Sequence, residues 1–259
     1  MAIKDDAAFA ELKPYMRMTV APNGVTIGDL NFVSAQSHWS AGLLPVQTAA
    51  NTILADTAVD LFQVAQGDVG QGYTTALTRG QTSWLDSQGR LPANQVFIAT
   101  RCAFQIAIRV AGGGVVTAAT GFVGNEIPIR SVGAAYAIGQ NFGWQCTVGD
   151  GITRPYGSLI DYAGNGAAWG VPIGTVGIAG AVGVAPTQDT VCMLGHPDSC
   201  GSRLPLPLVF PPNIGVRIRV LCGGAFALAD VSAGDAIAVG ECLMVKCWLN
   251  GYLCTMPVG

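Results

Sequence analysis

The sequence predicts an all-β protein built as an antiparallel β-sandwich, and three stretches carry that expectation. Between Leu91 and Val110, Ile98, Thr100, Cys102, Phe104, Ile106, Ile108 and Val110 fall on one parity, while Arg101, Gln105 and Arg109 fall on the other. Strand side chains alternate between faces, so this is a long strand with one apolar and one polar face. Ile214 to Cys222 repeats the pattern, with Val216, Ile218 and Val220 against Arg217 and Arg219. Ala236 to Asn250 repeats it again through Leu243, Val245, Cys247 and Leu249. Gly or Pro punctuates these stretches, as the turns of a sandwich require.

In chain order, residues 5–13 read as a short helix with Phe9 and Leu12 on one side, or as an ordered arm. Residues 1–30 then form an N-terminal arm ahead of a sandwich region spanning 31–259. Val20 to Gln47 mixes polar and apolar residues without a firm period. Thr48 to Ala65 fits a helix through Ala50, Leu54, Ala58, Leu61 and Ala65, or a strand over Val59–Val64, and Gly67 and Gly70 end it either way. Asp86 to Gly89 is a turn before the long strand, Ala111 to Gly114 closes it, and Val115–Val123 is expected to return antiparallel. The stretch 130–200 is Gly-rich, with Phe142, Trp144, Tyr156 and Trp169 scattered as core anchors. Asn250-Gly251 reads as a tight turn or a bulge before Tyr252–Val258. One echo runs along the chain: Arg90-Leu91-Pro92 with Val96-Phe97 returns 113 residues later as Arg203-Leu204-Pro205 with Val209-Phe210. It would divide the sandwich region into halves of about 31–146 and 147–259.

Half of the 259 residues are apolar, ample for a substantial core, yet only 11% are charged. Soluble domains carry about 25%. The composition fits a large core under a Gly-, Ser- and Thr-rich surface or, as interfaces are depleted of charge at their centres, a surface largely covered by other subunits, which is the favoured reading. A net charge of −3 argues against a protein that binds nucleic acid by neutralising phosphates, and the pairs Arg101/Arg109 and Arg217/Arg219 do not make a basic groove. The first twelve residues mix charges and lack an apolar core, so they are not a secretory signal. Cytoplasmic synthesis and reduced thiols are expected for most of the eight cysteines. Ala167 to Pro186 carries no charge, but five Gly and Pro172 suit loops and short strands better than a spanning helix. It is the segment that could face a membrane.

The motifs of common chemistries are absent. His38 and His196 are the only histidines, and no nucleophile elbow, phosphate loop or H-E-x-x-H pair occurs. Cys192, His196, Asp198 and Cys200 lie within nine residues, but without a C-x₂-C knuckle they read as a loop with ordinary thiols. Cys102, Cys222 and Cys247 lie on apolar strand faces as small buried hydrophobes. If Asn250-Gly251 were a hairpin turn, Cys247 and Cys254 would sit opposite one another, near enough for a disulfide that a reducing compartment disfavours. Glu126, Asp150 and Asp161 are the carboxylates an enzyme on a β scaffold would have to bring together. Trp39 beside His38, with Trp84 and Trp169, could instead serve a carbohydrate-binding sandwich, receptor-binding or lectin-like. No catalytic, cofactor or metal site is assigned, and the protein is expected not to be an enzyme.

Three segments together resemble jelly-roll coat proteins of tailless icosahedral bacterial viruses: Thr82 to Phe97 leading into a strand, the proline-bounded strand from Leu206 to Val220, and the closing strand from Cys242 to Val258, interrupted by Gly251. The resemblance implies a jelly-roll β-sandwich of viral coat type, either a double jelly roll or a single one with a large insertion. It further implies a structural virion protein, synthesised in the host cytoplasm, that self-assembles into an icosahedral shell around the genome. Its partners would be copies of itself in trimers or higher capsomers, other virion proteins and an internal membrane, without sequence-specific nucleic-acid binding. Cofactors are not implied.

Overall fold

The structure, a computed structural model, describes residues 10–20, 24–44, 52–84, 90–109, 126–128, 138–149, 152–162, 171–173, 189–191, 202–227 and 242–256. Eight longer strands carry the fold: β1 (Asn31–Leu44), β2 (Ala58–Leu61), β3 (Gln95–Arg109), β4 (Phe142–Val148), β5 (Ile152–Ser158), β6 (Ser202–Phe210), β7 (Val216–Cys222) and β8 (Cys242–Thr255). They form two antiparallel sheets, in the orders β1-β8-β3-β6 and β2-β7-β4-β5. The protein is thus all-β, with two antiparallel sheets and little helix, as the alternation predicts.

The pairing runs from the outside in. The first strand pairs with the last, the second with the seventh, the third with the sixth and the fourth with the fifth. The chain therefore behaves as one long hairpin whose tip is the β4–β5 turn, rolled so that β8 meets β3 and β7 meets β4. Each sheet draws strands from both halves of the sequence. Shorter strands add to the edges and loops: Glu126–Pro128 extends β3, Thr52–Ile53 pairs with Phe226–Ala227, and Val171–Ile173 pairs with Asp189–Val191.

The inner faces make one core. Phe97, Cys102, Phe104 and Ile106 of β3 and Leu243, Val245, Cys247 and Leu249 of β8 meet Val216, Ile218 and Val220 of β7 and Phe142, Trp144 and Cys146 of β4. Each large apolar side chain buried there contributes roughly 1.5–3 kcal/mol. Trp144 stacks on Tyr156 at 4.3 Å between centroids, and Trp84 lies 5.6 Å from Phe62 and 5.8 Å from Phe210.

The long strand departs from strict alternation at one point. Asn250 faces Arg101 but Gly251 faces Ala99, so β3 holds Thr100 as an extra residue. A bulge of this kind exchanges the two faces of a strand. Phe97 and Ala99 consequently share the core with Cys102 and Phe104, while Ile98 points to the opposite side with Val96 and Cys254. Asn250-Gly251 is accordingly no turn: β8 continues through it to Thr255. Cys247 and Cys254 lie on the same strand and cannot be opposite one another, which removes the hairpin pair considered for them.

Two segments cover the outer face of the first sheet. Residues 10–20 and 24–30 lay Leu12, Val20, Ile27 and Leu30 over Val96, Ile98 and Cys254. A turn of helix at 10–12 continues into the 3₁₀ turn Lys13–Tyr15, with Pro14 near its start, and Thr26 and Asp29 close a capping box around Ile27–Asp29. At the far end, residues 62–84 bring Tyr73 and Leu77 over Ala41, Leu43 and Met244. Of the two elements that Thr48–Ala65 fits, the helix is excluded, because Val59 and Leu61 point into the core while Ala58 is exposed, the period of a strand. Val115–Val123, Asp150, Trp169 and the loop from Cys192 to Cys200 with His196 lie outside the described residues. Among the described residues no helix is long and apolar enough to cross a membrane.

Candidate functional site

Between the two covering segments a strip of the first sheet stays open to the surface. Alternation places Ser37 and Trp39 of β1, Lys246, Trp248 and Asn250 of β8, and Arg101, Ala103 and Gln105 of β3 on this outer side, opposite the core residues of the same strands. Register then decides what stands together. Trp39 faces Trp248, and Trp248 faces Ala103 on its other side. Ser37, Asn250 and Arg101 form the next row, and Ala41, Lys246 and Gln105 the one beyond. Two partly exposed indoles thus lie side by side on adjacent strands, bordered by a small residue and by polar groups.

Both rings are held by the turn at 79–80. The Trp39 indole N–H donates to the Arg79 carbonyl at 2.9 Å. Lys246 donates from Nζ to the Gly80 carbonyl at 2.6 Å and stands 4.5 Å from the centre of the Trp248 ring, a cation–π contact. That turn is fixed by Gln81, whose side-chain oxygen accepts from the Thr78 N–H at 2.8 Å and whose main-chain carbonyl accepts from the Ala41 N–H at 2.7 Å. In the row below, the Ser37 hydroxyl donates to the Asn250 side-chain oxygen at 2.6 Å. Arg101 pairs with Glu11 at 3.6 Å, and the Tyr252 hydroxyl donates to Glu11 at 2.7 Å, tying residues 10–30 to the strip.

A pocket of about 360 Å³ opens on the other side of Trp39, between the edge of β1 and residues 62–84. Gln36, Ser37 and His38 line its strand side, and Gln66, Arg79 and Ser83 line the other. Ser83 Oγ accepts from the Trp39 N–H at 2.8 Å and lies 3.2 Å from His38 Nδ1. The His38 ring packs edge-on against Phe97 at 4.7 Å and Trp84 at 5.2 Å, and its Nε2 is buried with no partner among the described residues. Burial pushes its pKa down to about 4, so the ring is neutral at physiological pH.

Compared with known proteins, the chain matches no family model, no curated protein and no solved structure. The strip and the pocket must therefore be interpreted from their own chemistry.

The other sequence candidates distribute as follows. Trp169 lies outside the described residues, and Trp84 is 2% exposed and belongs to the core, whereas Trp39 reaches the strip. Trp248, its partner there, was hidden by the strong inward alternation of its own strand. On the outer face of the second sheet, Arg219 clasps Asp60 of β2 through two hydrogen bonds of 2.7 and 3.1 Å, and Arg217 lies 3.6 Å from the same carboxylate. Asp60 thus offsets the charge of this pair. Asp161 accepts from the Ser158 N–H and hydroxyl at 3.3 and 3.2 Å, while the Glu126 side chain and Asp150 lie outside the described residues. Among the described residues no three potential ligands come together to hold a metal ion. Cys102 and Cys247 bring their sulfurs to 3.7 Å inside the core, where burial raises the Cys247 thiol well above its usual pKa.

Proposed function

We propose that this chain is a structural coat subunit of a virion, a capsid protein that assembles with copies of itself into a closed shell around a genome. The observation that carries the proposal is the outside-in pairing of the eight longer strands, four in each of the two main sheets. A hairpin rolled in this way is consistent with a jelly roll, the architecture shared by viral capsid, lectin and cupin domains. Fold alone does not assign a function. The coat reading rests in addition on the three segments that resemble coat proteins and on a charged fraction of 11%, low for a surface that stays in water. Of the two forms the resemblance allows, interleaving of both halves in each sheet favours a single jelly roll with long connections.

The edges of the first sheet suit a subunit that meets its neighbours through faces and loops. Along β1, Phe32 faces Cys254 and Ser34 faces Leu253, so Val33 is a bulged residue, 57% exposed. Along β6, register with β3 is lost between Arg203 and Leu208, a stretch holding Pro205 and Pro207. Bulges and prolines blunt strand edges against uncontrolled edge-to-edge pairing. Closed symmetry then repeats one set of face contacts around the shell. Light scattering of the purified native protein, with negative-stain images of the same sample, tests the proposal. Trimers, pentamers or closed particles are expected; a monodisperse monomer at high concentration would overturn it.

A further inference from the structure

We infer that the strip bearing Trp39 and Trp248, together with the pocket beside Trp39, is a binding site for a neutral or singly acidic saccharide. The inference does not depend on the coat reading. Its first support is the aromatic pair. Two partly exposed indoles on facing residues of adjacent strands, one of them with Lys246 over its ring, supply apolar surface bordered by hydrogen-bonding groups, which is what the C–H face of a sugar ring and its hydroxyl edge require of a partner. The rings are aimed before any ligand arrives, because the Arg79 carbonyl holds Trp39 and Lys246 lies against Trp248. A preorganised site loses less entropy on binding.

The second support is the pocket chemistry, which separates ligand classes. Gln36 and Gln66 bring amides that donate and accept, Ser37 brings a hydroxyl, and Arg79 brings a single guanidinium. Sugar hydroxyls donate and accept in the same way. With no carboxylate among the described residues of the lining, a cation would meet no counter-charge there. A nucleic acid strand would stack on the indoles but needs a line of free cations, and Lys246 is already engaged with Gly80. An extended peptide would need an open strand edge. Here the edge of β1 is taken from Trp39 to Leu43, with the Trp39 carbonyl accepting from the Ser83 N–H, the Ala41 N–H bonded to the Gln81 carbonyl and the Leu43 N–H to the Gln71 carbonyl.

The test is a printed array of neutral and acidic glycans probed with the wild type, W248A, W248F and R79A. Tryptophan fluorescence is then titrated with any glycan captured. The wild type is expected to capture at least one glycan and to shift its fluorescence. W248A should weaken capture by about tenfold, with W248F retaining most of it. R79A should weaken capture while the main-chain carbonyl that holds Trp39 survives. Circular dichroism of each variant confirms that it is folded. No capture by the wild type would overturn the inference, as would equal capture by wild type and folded W248A. Particle formation is scored on the same samples. Assembly without capture sinks the saccharide site and leaves the coat reading standing, and capture without assembly does the reverse. Loss of assembly in folded W248A, with no capture by the wild type, would reassign the strip to subunit contact.

Discussion

Gly251 lies against the carbonyl oxygen of Ile98, at the one point where β3 and β8 fall out of register. A Cβ at this position would overlap that oxygen and come within 2.7 Å of the Ala99 Cα. Both obstacles are main chain, so no rotamer change relieves them. G251A is expected to cost about 3 kcal/mol, and the larger G251V to disrupt the final strand and block assembly. Gly24 supplies the contrast: its φ of +83° favours glycine, but a Cβ there meets nothing within 4 Å. G24A should cost only about 1 kcal/mol, from backbone conformation alone. Urea unfolding of the two variants separates steric from conformational cost, and equal losses would contradict this account.

The same bulge marks how far the sequence could be read. Alternation identified the strands around Cys102–Ile106, Val216–Val220 and Leu243–Leu249, because inward residues of a half-buried strand must be apolar. It could not show that Thr100 is inserted, since Ile98 and Phe97 are both apolar and either parity fits. Nor could it show the pairing of Trp39 with Trp248, residues more than two hundred positions apart, whose meeting depends on register. The covering segments 10–30 and 62–84 have little periodicity to detect. They are held by caps, turns and single buried side chains such as Leu12 and Tyr73.

His38 makes stability depend on pH. Its ring has an ordinary pKa of 6.5, lowered by burial to about 4 in the folded protein. Between these values the unfolded chain binds a proton that the folded chain refuses. The stabilisation is therefore complete above pH 6.5, declines as the pH falls toward 4, and levels off below that. The loss attributable to this residue reaches at most about 3 kcal/mol. H38F keeps a ring between Phe97 and Trp84 and should remove this part of the slope. Urea midpoints of both proteins measured from pH 4 to 7 provide the comparison, and parallel profiles would exclude His38 as the source.

Asp60 balances two arginines on the outside of the second sheet. Its partners are partly exposed, with the Arg219 side chain at 39%, so solvent screens the pair. D60N, which keeps the shape and removes the charge, should cost about 1 kcal/mol or less at low salt. At about 1 M salt the difference should nearly vanish, because the screening length falls to about 3 Å. A cost that persists undiminished in salt would show that the hydrogen-bond geometry, rather than charge, supports this face.

The buried cysteines should stay unreactive while the protein is folded. The thiolate is the reacting form, and burial pushes Cys146 and Cys254 up to about 12 and Cys247 well above its usual value. Cys102 and Cys247 stand 3.7 Å apart, in contact but far from the roughly 2.05 Å of a sulfur–sulfur bond. Cys242, near the start of β8, is partly exposed. Iodoacetamide at pH 8 followed by peptide mass spectrometry should therefore label Cys242 and leave Cys102, Cys146 and Cys247 unmodified until urea unfolds the chain. Native-state labelling of Cys247 at the rate of Cys242 would mean that the β3–β8 ladder opens locally, and the inward packing described for the two strands would have to be abandoned.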